Sequence, residues 1–543
     1  MSYYEEPFTP AEAVVLGRFF TNVDRPVFAL INLPEVVKGA LFARYSRSAK
    51  SVRRLFLDEF VNDPESGIAA IANTSDPLVD HKRAEDLYRR VFFEYGDDSV
   101  AQLGGVHLAC EQASNILTKV LEWGRLASYL EQSTRYIAYD ALLGDRYRYL
   151  VPAEIEKAGL GPGYRDLMEA TFKTYRGMVS TMTDYFERRF PRSESDSKFA
   201  WTASIRAKAC DTVRGLLPAS TLSNVGIYGS GQAYEMALVR MAAHPLAEVR
   251  DYGEMMLTEL RKVIPSFLTR VDLPDRGGAW SDYLRAGREA IEAIAPRFGD
   301  DHQVGEAGQQ VELTDWDPDG ELKLAAAALY AGSDLSDLEL SDYVKGLGLE
   351  QRSEVIAALI GDRGNRRHKP GRALERIVYR FDVVCDFGAF RDLQRHRLMT
   401  IEWQRLGTRL GYQCPPELED AGLAADFRGV MEQAGEFHDK ALRTVGPDVA
   451  QYVVPFAFQI RFVVEMNARQ AFHLIELRSQ PAGHPSYRQV VLEMHRRIDE
   501  VAGHHSVAEA MKFVDYSEVA LERLASERRA ENRRFDSLRG SKA

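Results

Sequence analysis

Two distant stretches of the chain lie against each other without a gap: GSGQAYEMALVRMAAHPLAEVRDYGEMM at 229–256 and NARQAFHLIELRSQPAGHPSYRQVVLEM at 467–494. Gln232 coincides with Gln470, Ala233 with Ala471, Arg240 with Arg478, Arg250 with Arg488 and Met256 with Met494. A proline precedes each stretch at a similar distance, Pro218 in LLPAS and Pro455 in VVPFA. The period is far longer than that of any helical or solenoid repeat, so the pattern is that of a duplicated domain. In both copies the later part has helical apolar spacing: Val249, Tyr252, Met256, Leu260 and Val263 against Tyr487, Val490, Met494, Ile498 and Val501. Those stripes are read as core. Duplication also accounts for length, because 543 residues exceed what one hydrophobic core usually serves.

Between the copies the chain turns to Gly, Pro, Asp and Gln, in LPDRGGAW and GDDHQVGEAGQQVELTDWDPDGE. Such a stretch lacks the apolar content that offsets chain entropy, and it reads as a linker over 273–320 carrying one helix, SDYLRAGREAIEAIA. Domains at 1–272 and 321–543 result. With 45% apolar and 27% charged residues the composition is globular, and a net charge of -11 argues against a generalised nucleic-acid binder while leaving room for a local anion pocket. Cys110, Cys210, Cys385 and Cys414 form no CxxC pair, and His504 and His505 lack a metal-ligand spacing, so no metal site is expected and a reducing compartment is. No apolar run approaches the roughly 20 residues of a membrane span, and the acidic start MSYYEEPFTPAEAV is unlike a signal or transit peptide. A cytoplasmic protein without a membrane anchor is expected.

The segment RDLQRHRLMTIEWQRLGTR sets Arg391, Arg395, Arg397, Arg405 and Arg409 around His396. Guanidinium forks at this density suit phosphate or another planar anion, with a solvated basic face as the even alternative on composition alone. The corresponding first-half stretch is LEWGRLASYLEQSTRYI, where Glu131, Ser133 and Arg135 alternate as along an extended segment or turn. Ser133 and Arg135 together can hold a phosphate; no histidine is positioned by sequence to make Ser133 a nucleophile. Three other signals are weaker. GSG at 229–231 is more often a turn than a phosphate cradle, RYSRSAKSVRR at 44–54 more often a solvated face, and the tail from Glu522 reads as a solvated helix ending in disorder.

At these residues the chain resembles the flavin-dependent thymidylate synthases, the ThyX-type family. That family carries R-H-R-x-x-S-x(4)-S-x-R, preceded by G-H-x-S-x-x-E-H and followed by R-x-x-L-P and N-x-R-x(8)-L-R. The first half keeps Ser99, Ser114, Arg125, Ser128, Glu131, Ser133 and Arg135, then Arg214 in RGLLP and Arg240. Trp123 and Gly124 stand where the first Arg and the His belong, and Gly229 and Gly231 where N-x-R belongs. The second half has the opposite losses. Arg395, His396 and Arg397 complete R-H-R, and Asn467, Arg469 and Arg478 complete the last motif, while Thr400, Arg405, Gly407 and Gln451 replace the substrate-loop Ser, Ser and Arg and the Arg of R-x-x-L-P. The E-H pair is missing in both, as Gln102 with Leu103 and as Arg372 with Ala373; GHHSVAEA at 503–510 resembles that element out of order.

The resemblance implies an α/β (α+β) fold, two tandem ThyX-like domains, each with helices packed on a small twisted sheet. It implies FAD held by Arg395, His396, Arg397, Asn467, Arg469 and His473, and dUMP held by Glu131, Ser133, Arg135, Arg214 and Arg478, with Arg395 and Arg478 catalytic. The implied reaction is reductive methylation of dUMP to dTMP with methylenetetrahydrofolate and NADPH as cosubstrates. The complementary losses suggest a composite site between the two halves, in a homodimer equivalent to a tetramer. Two alternatives stay open: an inactive flavin- or nucleotide-binding scaffold, and flavin-dependent transfer to another uracil-containing acceptor.

Overall fold

The computed structural model describes residues 3–61, 104–194, 196–299, 310–518, 520–529 and 531–532. Ser99, Gln102 and Leu103, like the end of the charged tail, lie outside the described residues. One unit of the structure comprises residues 1–176, 217–303 and 432–454, the other 177–216, 304–431 and 455–543.

In the first unit, β1 (Val27–Leu30), β2 (Gly105–Ser114), β3 (Ala127–Glu131) and β4 (Leu222–Ser230) form an antiparallel sheet in the order β1-β2-β4-β3. The register of β2 shifts between Cys110 and Ala113, where Gln112 adopts φ 55. A non-glycine residue held in the left-handed region needs compensation. Gln112 receives it: its N–H donates to Asn224 Oδ1 at 2.9 Å, and its carboxamide brackets the Tyr4 backbone at 2.8 and 2.9 Å. The helix Ala247–Arg261 buries Val249, Tyr252, Met256 and Leu260.

The second unit repeats the arrangement with β5 (Val311–Trp316), β6 (Val378–Asp386), β7 (Thr400–Trp403) and β8 (Gln459–Asn467) in the order β5-β6-β8-β7, again antiparallel. Here the helix Pro485–Glu500 buries Tyr487, Val490, Met494 and Ile498. The fifth residue of each stripe falls past the end of its helix, so Val263 is half-buried and Val501 exposed. β5 lies inside the stretch that composition reads as linker; its short alternation of buried Val311 and Leu313 with exposed neighbours is embedded in Gly- and Gln-rich sequence that masks it. The helix foreseen in that stretch forms as Ala279–Ile294, where Ser281 Oγ donates to Val239 O at 3.0 Å.

Four strands run straight into helices through capping side chains. Ser114 accepts from Leu117 N, Ser230 from Ala233 N, Asp386 from Ala389 N and Asn467 from Gln470 N. Each side chain satisfies a backbone donor that the first helical turn leaves unpaired. The fold is thus of mixed helices and two four-stranded antiparallel sheets. Among the described residues, no helix is long and apolar enough to cross a membrane.

Candidate functional site

In the second unit the sheet and its caps gather the second-half motif. The helix Phe387–Leu393 leads from β6 to Arg395, His396 and Arg397, and β8 leads through Asn467 into the helix Ala468–Arg478. Arg478 Nε donates to His396 Nε2 at 2.9 Å, Gln470 approaches Nδ1 at 3.4 Å, and the His396 and His473 rings lie 5.1 Å apart. Because His396 Nε2 accepts, the imidazole is neutral. Burial first, then the positive charge of Arg478, hold its pKa well below the usual histidine value. His473 is pushed down to about 4 by burial, Lys369, Arg478 and Arg366. Arg395 and Arg397 flank the cluster, half-buried. Asn467 is used as the helix cap, and Arg469 donates to Pro370 O at 2.9 Å and to Glu375 at 3.2 Å.

Lys369 and Arg366 come from the loop GDRGNRRHKPGR at 361–372, which sequence reasoning passed over beyond noting Arg372. The signal was available, since four of its residues, Arg366, Arg367, Lys369 and Arg372, are basic within seven positions of an acidic chain. No carboxylate pairs with Arg366, Lys369 or Arg478 among the described residues. Two histidines kept neutral by burial, beside cations that no carboxylate pairs, form a place charged for an anion, so these residues fit the diphosphate of a flavin dinucleotide.

Arg214 belongs to this same unit. Its Nη1 donates to Asp392 Oδ2 at 3.2 Å, and only 3% of its side chain is exposed. Glu131, Ser133 and Arg135 belong to the first unit, where β3 ends at Glu131 and a turn follows. Glu131 lies 3.4 Å from buried Lys119, which also pairs with Glu122 at 2.7 Å. Ser133 Oγ accepts from Arg135 N at 3.3 Å.

The first unit also explains its missing Arg and His. Arg240, the counterpart of Arg478, stacks over the Trp123 ring at 4.9 Å. A Cβ at Gly124 would come within 2.6 Å of the Tyr129 hydroxyl, so a histidine there requires the Tyr129 ring to shift. Ser230, rather than Gly229, takes the capping role that Asn467 has in the second unit.

Other signals resolve into structure. Arg250 donates to His244 O and Pro245 O, both at 2.6 Å, and Arg488 to Ser479 O at 2.8 Å and Ser517 O at 2.8 Å, so the coincident arginines tie backbone. His504 has both ring nitrogens engaged, by Tyr379 at 2.7 Å and Asp317 O at 2.9 Å, and His505 pairs with Asp499 at 2.6 Å. In the stretch 44–54, Arg53 is buried over the Phe28 ring at 4.2 Å instead of solvated, and Arg44, Lys50 and Arg54 pair with carboxylates. No group of His, Cys, Asp and Glu able to hold a metal occurs among the described residues.

Two antiparallel sheets of the same strand order, each feeding capped helices, with Arg-His-Arg and N-x-R on the second, define the class. The chain belongs to the thymidylate synthase complementing protein family (Thy1), whose profile matches residues 54–266 and again 312–513. It is 41% identical to a UPF0159 protein of Chlamydia muridarum (strain MoPn / Nigg) over 97% of this chain and 99% of that one. It is 27% identical to the flavin-dependent thymidylate synthase of Clostridium tetani (strain Massachusetts / E88), over 38% of this chain and 82% of that one. Among solved structures, a UMP/dUMP methylase PolB from Streptomyces cacaoi bound with 5-Br dUMP matches with 18% identity, covering 37% of this chain and 93% of that chain, at a TM-score of 0.29. At the level of the family, a thymidylate synthase-like function and a methyltransferase-like enzyme are supported.

Proposed function

We propose that this chain methylates dUMP reductively to dTMP, with FAD as cofactor and methylenetetrahydrofolate and NADPH as cosubstrates, in a homodimer. The observation that carries this reading is the Arg478 to His396 hydrogen bond of 2.9 Å beside His473, Lys369 and Arg366. When bound, the flavin supplies the hydride chemistry. His396, Arg397, Asn467, Arg469 and His473 orient it, and Arg395 and Arg478 stabilise negative charge. Glu131, Ser133, Arg135 and Arg214, with Arg478, hold the nucleotide. Each half of the sequence then contributes what the other has lost. A site that needs each element once tolerates loss of the redundant copy.

A noncatalytic nucleotide-binding reading draws on one observation: Arg214 and Glu131 are already engaged, by Asp392 and Lys119. Purification with FAD separates the two. Yellow protein that bleaches with NADPH and releases tritium from 5-tritiated dUMP supports the enzyme; colourless protein that takes up no FAD overturns it.

A further inference from the structure

The helix Ala279–Ile294 runs on into a further turn, Pro296–Gly299, through Ala295, whose φ -51 and ψ -42 are helical. Ser281, Arg285 and Arg288 lie on one side of it and hold it to the first unit. Ser281 Oγ donates to Val239 O at 3.0 Å, Arg285 to Ala242 O at 3.4 Å and Arg288 to Ala243 O at 2.5 Å, all at the end of the helix Gly231–Ala242. Guanidinium groups suit that place, because the last carbonyls of a helix lack partners and carry partial negative charge. The polar side of Ala279–Ile294 thus faces the protein, the reverse of an ordinary surface helix.

Its apolar side faces away. Trp280, Tyr283, Gly287, Ile291, Ile294 and Phe298 recur every three or four positions, with Ala290 beside them, so they share one face. The five large side chains are between 42% and 79% exposed, and a Cβ at Gly287 would meet nothing within 4 Å. With about 150–250 Å² for a whole side chain of this size, the uncovered part comes to roughly 600 Å². An apolar patch of that extent marks a contact surface. The stripe lies between the two segments that match the family profile, so it is no part of the matched domains.

We propose that a second copy of this chain covers the stripe, helix against helix and antiparallel, about a two-fold axis between Ala290 and Ile291. The order of sizes along the stripe carries the choice. Reversed about that point, Tyr283 meets Phe298, Gly287 meets Ile294 and Ala290 meets Ile291, with an aromatic pair at each end and small against large between. Two such faces together bury about 1,200 Å², where specific interfaces begin. Charge agrees: Arg285, Arg288 and Arg297 are balanced by Asp282, Glu289 and Glu292, so the helix has no cationic excess for an anionic membrane. The pairing uses no residue given to flavin or nucleotide. It names a surface for the homodimer proposed above without resting on a site shared between the halves.

The test is analytical sedimentation of the full chain at about 10 μM. The unmodified protein should sediment as an assembly of at least two copies. Ile291→Arg with Ile294→Arg should halve that mass and leave the far-ultraviolet dichroism and the flavin uptake at the unmodified level, because both side chains are exposed in the single chain. Flavin uptake tests the enzyme reading separately, so a colourless protein whose mass is halved by the double change upholds the pairing and sinks only the other. Ala290→Cys, beside the axis, should give a covalent dimer with a short bismaleimide, and Asp282→Cys, away from the stripe, no more than the unmodified chain. If the double variant does not fold, the cross-link decides. The proposal is overturned if the unmodified protein sediments as one copy, if its mass survives the double change, or if the two cysteine variants cross-link alike. A single-copy protein that pellets with phosphatidylglycerol vesicles, and no longer does after the double change, would also overturn it, assigning the stripe to a membrane.

Discussion

Arg363 grips Glu476 through two hydrogen bonds of 2.7 and 2.5 Å, with 3% and 1% of the side chains exposed. Arg363 also donates to His368 O at 2.7 Å, so the pair fastens the loop carrying Arg366 and Lys369 to the helix that bears His473 and Arg478. Removing one member of a buried pair leaves an uncompensated charge. Glu476→Gln should therefore cost about 3–5 kcal/mol of stability, read as a lowered urea midpoint.

Arg395→Ala and Arg135→Ala test the division of labour between the halves. Each should abolish flavin or nucleotide binding, the first measured by flavin absorbance and the second by dUMP titration. Normal binding of both ligands in both variants would show that the halves do not complement each other.

One flavin per chain is expected, not two, because Tyr129 crowds position 124 and Trp123 occupies the face of Arg240. Absorbance at the flavin band against protein concentration gives the ratio. Gly124→His should not raise it and should lower the melting temperature.

His473, pushed down to about 4, stays neutral in the folded protein while an unfolded chain takes up a proton near pH 6.5. Its contribution to stability is thus present above about pH 6.5 and is lost as the pH falls toward 4. An anion among Lys369, Arg366 and Arg478 offsets the charges that depress it. Pyrophosphate or dUMP should raise the His473 pKa in an imidazole NMR titration, and an unmoved pKa would show that neither anion binds there.

The cluster around His396 was legible because its parts are local: a cap, a helix and a triplet at fixed spacing bring Arg395 to Arg397 near one strand end and Asn467 to Arg478 near another. Identity at aligned positions was a poorer guide to role. Arg240 and Arg478 coincide, yet one meets Trp123 and the other His396; Arg250 and Arg488 coincide and only tie carbonyls. The Asp392 partner of Arg214 was beyond reach, since the two residues lie 178 positions apart and nothing local links them.

Each unit of this molecule is made from both halves of the sequence: Tyr452 completes the buried network of Glu248 and Ser114, and Arg214 meets Asp392. A gene split at the linker would encode two products, each missing a piece of its own core. Neither half of the sequence therefore holds all the side chains that its own sheet packs against.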